Sequence, residues 1–165
     1  MSGPAAVAAA LAENPDGVVE AIAARAGVSP RVVLDHLPAG AAVPVHHEKF
    51  ADIWRELAGW GDVLFIVHTA DIVLECVGAL PDGSYGHGYF NIHGDSPIGG
   101  HIKADRCAVI YFVDRMFHGR RSLSVQFMNG DGEAMFKVFV RRDAARELLP
   151  DQVEAFEALR SKMAA

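Results

Sequence analysis

Two alternating apolar runs separated by Asn129-Gly130-Asp131-Gly132 commit this chain to an antiparallel sheet. From Ser122 to Met128, Leu123, Val125 and Phe127 fall on one side of a strand, and Ser122, Ser124 and Gln126 on the other. After the four turn-forming residues the pattern returns from Ala134 to Val140, with Phe136, Val138 and Val140 sharing a face. Asn-Gly and Asp-Gly tolerate the positive φ that a tight hairpin turn needs. A lone hairpin is marginal in water, so more strands must join it. The β-type runs Val63 to Val67, Asp71 to Val77, Gly88 to Ile92 and Cys107 to Val113 supply them, with a turn at Pro81-Asp82-Gly83.

Before Trp60-Gly61 the period is helical instead. Ala5 to Glu13 is Ala-rich, and Asn14-Pro15-Asp16-Gly17 breaks it. Asp16 is expected to cap a helix from Val18 to Ala26, which Gly27 ends. Ser29-Pro30 opens another to Leu37, and His47 to Gly59 carries Phe50, Ile53, Trp54 and Leu57 at helical spacing. A last helix is expected from Arg142 to Met163, with Pro150 a break point inside it. The pattern predicts an α+β fold with N-terminal helices, a large antiparallel β-sheet and a C-terminal helix. It also predicts one domain: a helical part over 1–60, a sheet core over 62–141 and a helix over 142–163.

A chain of 165 residues that is 51% hydrophobic buries enough surface to fold without metal or disulfide. The net charge of -6 argues against nucleic acid or an anionic membrane as partner. Residues 18–37 have the spacing of a helix-turn-helix, but the second helix offers one cation, Arg31, beside Asp35. That is no basic footprint for DNA. The apolar start lacks a basic leader and is followed by Glu13 and Asp16, so it reads as helix rather than export signal. No run reaches the ~18 apolar residues of a membrane span. Cys76 and Cys107 sit in apolar segments and read as reduced core thiols, so cytoplasm is the expected location.

Eight histidines leave several candidates for chemistry. His36, His46, His47 and His118 read as solvated. His68, after the run ending at Val67, is either a ligand or a core-edge residue bonded to Thr69 or Asp71. On a strand, His87, Tyr89, Asn91 and His93 share one face, either metal-capable or merely solvated. His101 follows Gly99-Gly100, where the backbone turns freely. No standard zinc, phosphate-loop or nucleophile-elbow motif is present.

The segments Val67-His68-Thr69-Ala70-Asp71, Gly88-Tyr89-Phe90-Asn91, Gly100-His101-Ile102-Lys103, Ser124-Val125-Gln126-Phe127 and Met135-Phe136-Lys137-Val138-Phe139 are individually weak. So are Asp114-Arg115 with Phe117 and Gly119, and Arg142-Asp143 with Arg146. In order and spacing, from Asn14 to Phe156, they resemble the bacterial cytosolic haem-utilisation carrier family of the ChuX/HutX type. The resemblance implies a large antiparallel sheet flanked by helices, and a homodimer like the two-repeat haem-handling proteins HemS and ChuS. It implies a non-enzymatic carrier that binds haem as cargo and delivers it to a haem-degrading partner. It implies His68 and His101 as axial iron candidates, with Tyr89 a third; His93 departs from the family's pattern. Haem iron takes a His nitrogen or Tyr phenolate, and the macrocycle needs an apolar slot with cations for its propionates. Ile66, Phe90, Phe112, Phe127 and Met135 are candidates for the slot, and Arg115 and Lys137 for the propionates. The competing functions are a haem-degrading oxygenase and a divalent-metal module using His87, Tyr89 and His93.

Overall fold

A computed structural model describes residues 3–164. Helices α1 (Pro4–Glu13), α2 (Val19–Ala26) and α3 (Pro30–Asp35) precede strand β1 (Ala42–His46) and helix α4 (Phe50–Ala58). Then come β2 (Asp62–His68), β3 (Val73–Ala79), β4 (Gly83–Gly86), β5 (Tyr89–Ile92) and β6 (Gly100–Ile102). The chain continues through β7 (Cys107–Phe117), β8 (Arg120–Asn129), β9 (Ala134–Phe139) and helix α5 (Pro150–Ala164). This is the α+β fold that the periodicity predicts.

The large sheet has six antiparallel strands in the order β1-β7-β8-β9-β2-β3. Its centre is the β8–β9 hairpin, with Phe127 opposite Phe136 and Gln126 opposite Lys137. Asn129 Oδ1 closes the turn by accepting the N–H groups of Asp131 and Glu133, an Asx turn. A separate three-stranded sheet, β4-β5-β6, lies over one face of the large sheet. A Cβ on Gly83 would sit 2.1 Å from the Phe90 ring, so the β4–β5 pair closes over that ring only with glycine there.

The inner face of the large sheet carries the main core. Phe50, Ile53, Trp54 and Leu57 from α4, Phe156 and Leu159 from α5, and Phe90 and Ile92 from β5 pack on Val63, Val125, Phe127, Phe136 and Val138. The Phe127 and Phe136 rings stack at 4.3 Å, with the Phe50 ring edge-on to Phe127 at 5.2 Å. Each fully buried apolar side chain of this size contributes about 1.5–3 kcal/mol. The outer face is covered at one end alone. There Val7, Ile22, Val33 and Leu34 of α1–α3 pack on Val109, Tyr111, Val113 and Met128.

Several elements differ from the sequence expectation. Strand β1 interrupts the helical first third. Pro44 gives residues 42–46 the look of a linker, but β1 is a sheet edge, where a missing N–H is tolerated. The last helix begins at Pro150 rather than Arg142. Residues 142–149 form a turn in which Asp143 Oδ1 accepts the N–H groups of Ala145 and Glu147. Proline is suited to the first helical position. Helix α2 starts at Val19 with no side-chain cap, so Asp16 does not cap it. Gly27 does end it in the left-handed region, at φ 69°.

Candidate functional site

Because α1–α3 cover one end of the outer face, alternate residues of the remaining strands stay uncovered. Registry places Gln126, Lys137, Ile66 and Glu75 side by side across β8, β9, β2 and β3. The next row is Ser124, Phe139, Leu64 and Val77. With Val18 and Val19 as a wall, this face forms a cavity of about 610 Å³, within the usual range for small-ligand sites. Its sides are largely apolar. Its floor is polar, since Ser122, Ser124, Gln126 and Lys137 line it and are all buried.

Three of the five expected site residues enter this cavity: His68, Arg115 and Lys137. Lys137 is 6% exposed, and its ammonium bonds Glu20 Oε1. The same oxygen lies 3.6 Å from His68 Nδ1. Thr69 Oγ1 instead accepts the N–H groups of Asp71 and Ile72, so it shapes the turn after β2. Arg115 donates to the carbonyls of Gly17 and Pro15, both at 2.8 Å, and burial lowers its pKa from the ordinary guanidinium value. Three buried polar atoms here have no hydrogen-bond partner: Glu20 Oε2, Arg115 Nε and Gln126 Oε1. Leaving such a group unpaired costs about 1–3 kcal/mol.

The other two candidates, Tyr89 and His101, lie elsewhere. They project from the outward face of the small sheet, whose inward residues Phe90 and Ile92 join the main core. His101 Nδ1 pairs with Asn91 Oδ1 at 2.6 Å, and the Tyr89 ring sits 5.7 Å from the His101 ring. The Lys103 ammonium stands 4.9 Å above the Tyr89 ring. His68 and His101 therefore face opposite sides of the large sheet within one chain. His87 occupies the β4–β5 turn with φ 53°, not the strand face that the alternation predicts. Among the described residues no group of three or more His, Cys, Asp or Glu is placed to hold a metal ion. Among the five slot candidates, Ile66 alone lines the cavity. Phe90, Phe112 and Phe127 are buried in the inner core, and Met135 packs against it.

Sequence motifs did not mark Glu20, which stands in the first turn of α2. Arg141 and Arg142 also line the cavity. Arg142 falls where the periodicity predicts a helix, yet its guanidinium donates to the carbonyls of Arg146 and Arg121.

The profile of the family described as haem utilisation ChuX/HutX matches residues 43–159. The chain belongs to the ChuX/HutX family. It is 31% identical over 157 residues to the intracellular heme transport protein HutX of Vibrio cholerae, covering 94% of this chain and 81% of that protein. Among solved structures, a protein of Agrobacterium tumefaciens is 60% identical, with a TM-score of 0.90 over 96% of this chain and 90% of that one. The heme binding protein ChuX is 38% identical, with a TM-score of 0.87 over 96% and 99% of the two chains. The ChuX/HutX fold also recurs in half of ChuS, described as an E. coli heme oxygenase. That likeness, at 13% identity and a TM-score of 0.75 over 50% of ChuS, is one of fold alone. No helix among the described residues is long and apolar enough to cross a membrane.

Proposed function

We propose that this protein binds haem as cargo in the outer-face cavity and passes it to a haem-degrading partner in the cytoplasm without degrading it. The observation that carries this is His68, an imidazole set into a largely apolar cavity that is also lined by cations. An imidazole nitrogen ligates haem iron, and the apolar strand residues suit the macrocycle. Arg115 and Lys137 are the proposed propionate contacts, joined by Arg141 and Arg142, which line the same cavity. His101 and Tyr89 are the alternative ligands, for haem bound on the far side of the sheet. The names of HutX and ChuX, a heme transport protein and a heme binding protein, support the carrier role.

A homodimer is part of the same proposal. Strand β3 is an outer strand of the large sheet, and Val73, Leu74 and Val77 on it, with Ile72 just before, are each about half exposed. An apolar edge of this kind is a pairing surface, and a second copy fits it. Light scattering is expected to show a dimer at tens of micromolar; a monomer would contradict it.

The decisive experiment is a haemin titration followed by visible spectroscopy. One haem per chain with a sharpened Soret band is expected, and His68→Ala should weaken it more than His101→Ala or Tyr89→Ala. Incubating the complex with reductant, oxygen and catalase separates carrier from oxygenase. A stable Soret band fits the carrier, and steady formation of a defined bile pigment overturns it.

A further inference from the structure

We propose that Glu20 is the positioning residue for His68: its carboxylate accepts a hydrogen bond from the imidazole Nδ1–H and leaves Nε2 as the nitrogen offered to the cavity. The inference rests on the reading of His68 as the iron ligand. Glu20 stands in the first turn of α2 and does not itself line the cavity, whereas Val18 and Val19 beside it do.

Three observations converge on that role. Glu20 Oε1 lies 3.6 Å from His68 Nδ1, a few tenths of an ångström beyond a hydrogen bond. Its second oxygen, Oε2, is buried and has no partner, so the carboxylate has an acceptor to spare. The last torsion of a glutamate is broad, which lets the carboxylate adjust toward Nδ1. Lys137 holds Oε1 from β9, which anchors the carboxylate at the start of α2.

The chemical consequence follows from the two ring nitrogens. In a neutral imidazole one nitrogen carries the proton and the other the lone pair. A carboxylate at Nδ1 fixes the proton there and directs the Nε2 lone pair away from it. It also raises the donor strength of the ring toward a metal, as partners of ligating histidines generally do. A stronger donor favours ferric over ferrous iron, which lowers the midpoint potential of the bound haem.

The test uses the full chain loaded with haemin, with Glu20→Gln, Glu20→Ala, His68→Ala and Lys137→Gln. Glu20→Ala is expected to weaken haemin binding by about 10–100-fold and to raise the midpoint potential. Glu20→Gln, nearly isosteric, keeps an acceptor but not the charge, so it should raise the potential with a smaller loss of affinity. Lys137→Gln breaks the same ion pair but leaves the carboxylate charge uncompensated, so it should move the potential the other way. A Glu20 that merely packs would leave the potential unchanged in the nearly isosteric Glu20→Gln. Unchanged potential and affinity in both Glu20 variants, with His68→Ala losing the imidazole-ligated spectrum, would overturn this inference and leave the His68 reading standing. An unchanged spectrum in His68→Ala would overturn both.

Discussion

Lys137 on β9 and Glu20 on α2 form an ion pair between residues 117 apart in the chain, and both side chains are largely buried. It ties the N-terminal helices to the centre of the large sheet. Removing one partner of a buried pair strands the other charge, so Lys137→Met should destabilise the fold by about 3 kcal/mol. Glu20→Leu combined with Lys137→Met should recover most of that loss. Urea unfolding of the two variants and the native chain, with an unchanged denaturant slope, checks it.

Gln152 bonds three backbone groups from two stretches of the chain. Its Oε1 accepts the Arg141 N–H at 2.8 Å, and its Nε2 donates to the Trp60 and Asp62 carbonyls at 3.1 and 2.7 Å. The side chain is buried, so water does not replace it. Gln152→Ala should cost about 2–3 kcal/mol, measured by chemical unfolding, with little change in haemin affinity.

Asp114 should contribute to acid sensitivity. The Arg121 guanidinium, bonded to it at 3.0 and 2.8 Å, holds its carboxyl below the usual range, and Arg160 adds to this. The unfolded chain therefore takes up the proton first as pH falls. The stability contributed is fully present above the unfolded value of about 3.9 and is lost as pH drops through the lower folded value. Asp114→Asn should be less stable than the native chain at pH 7 and closer to it at pH 3, as read from unfolding midpoints.

Cys107 should be chemically silent. Burial pushes its thiol up to about 11, and its Sγ sits 3.8 Å from the Val109 carbonyl. A thiolate is the reactive form. A disulfide-exchange reagent at pH 8 should leave Cys107 unmodified in the folded protein, while both cysteines react in denaturant.

Local pattern determined much of the fold by itself. The alternation around Asn129-Gly130-Asp131-Gly132 is a short-range property, and the strands on either side pair as it requires. The helical spacing of Phe50, Ile53, Trp54 and Leu57 likewise survives in α4, with all four buried. Elements of three or four residues, such as β4 and β6, are too short for any period to show. Strand β1 was masked by Pro44, whose edge position no local pattern reveals.

Which face of each strand becomes core was decided by tertiary structure. Along β2, Val63, Phe65 and Val67 alternate with Leu64, Ile66 and His68, and both sets are mostly apolar. Helices α4 and α5 cover the first set, while α1–α3 stop short of the second, and that shortfall leaves the cavity. Phe127 therefore enters the core and its neighbour Gln126 the cavity floor, the reverse of a slot built from the most apolar residues. The short segments around His68 and His101 made both residues candidates from sequence, but strand order alone put them on opposite sides of the sheet. Glu20 had no local signal at all, because its partners His68 and Lys137 come from strands far along the chain. A contact between distant residues depends on how whole elements stack, and no period of two or 3.6 residues carries that information.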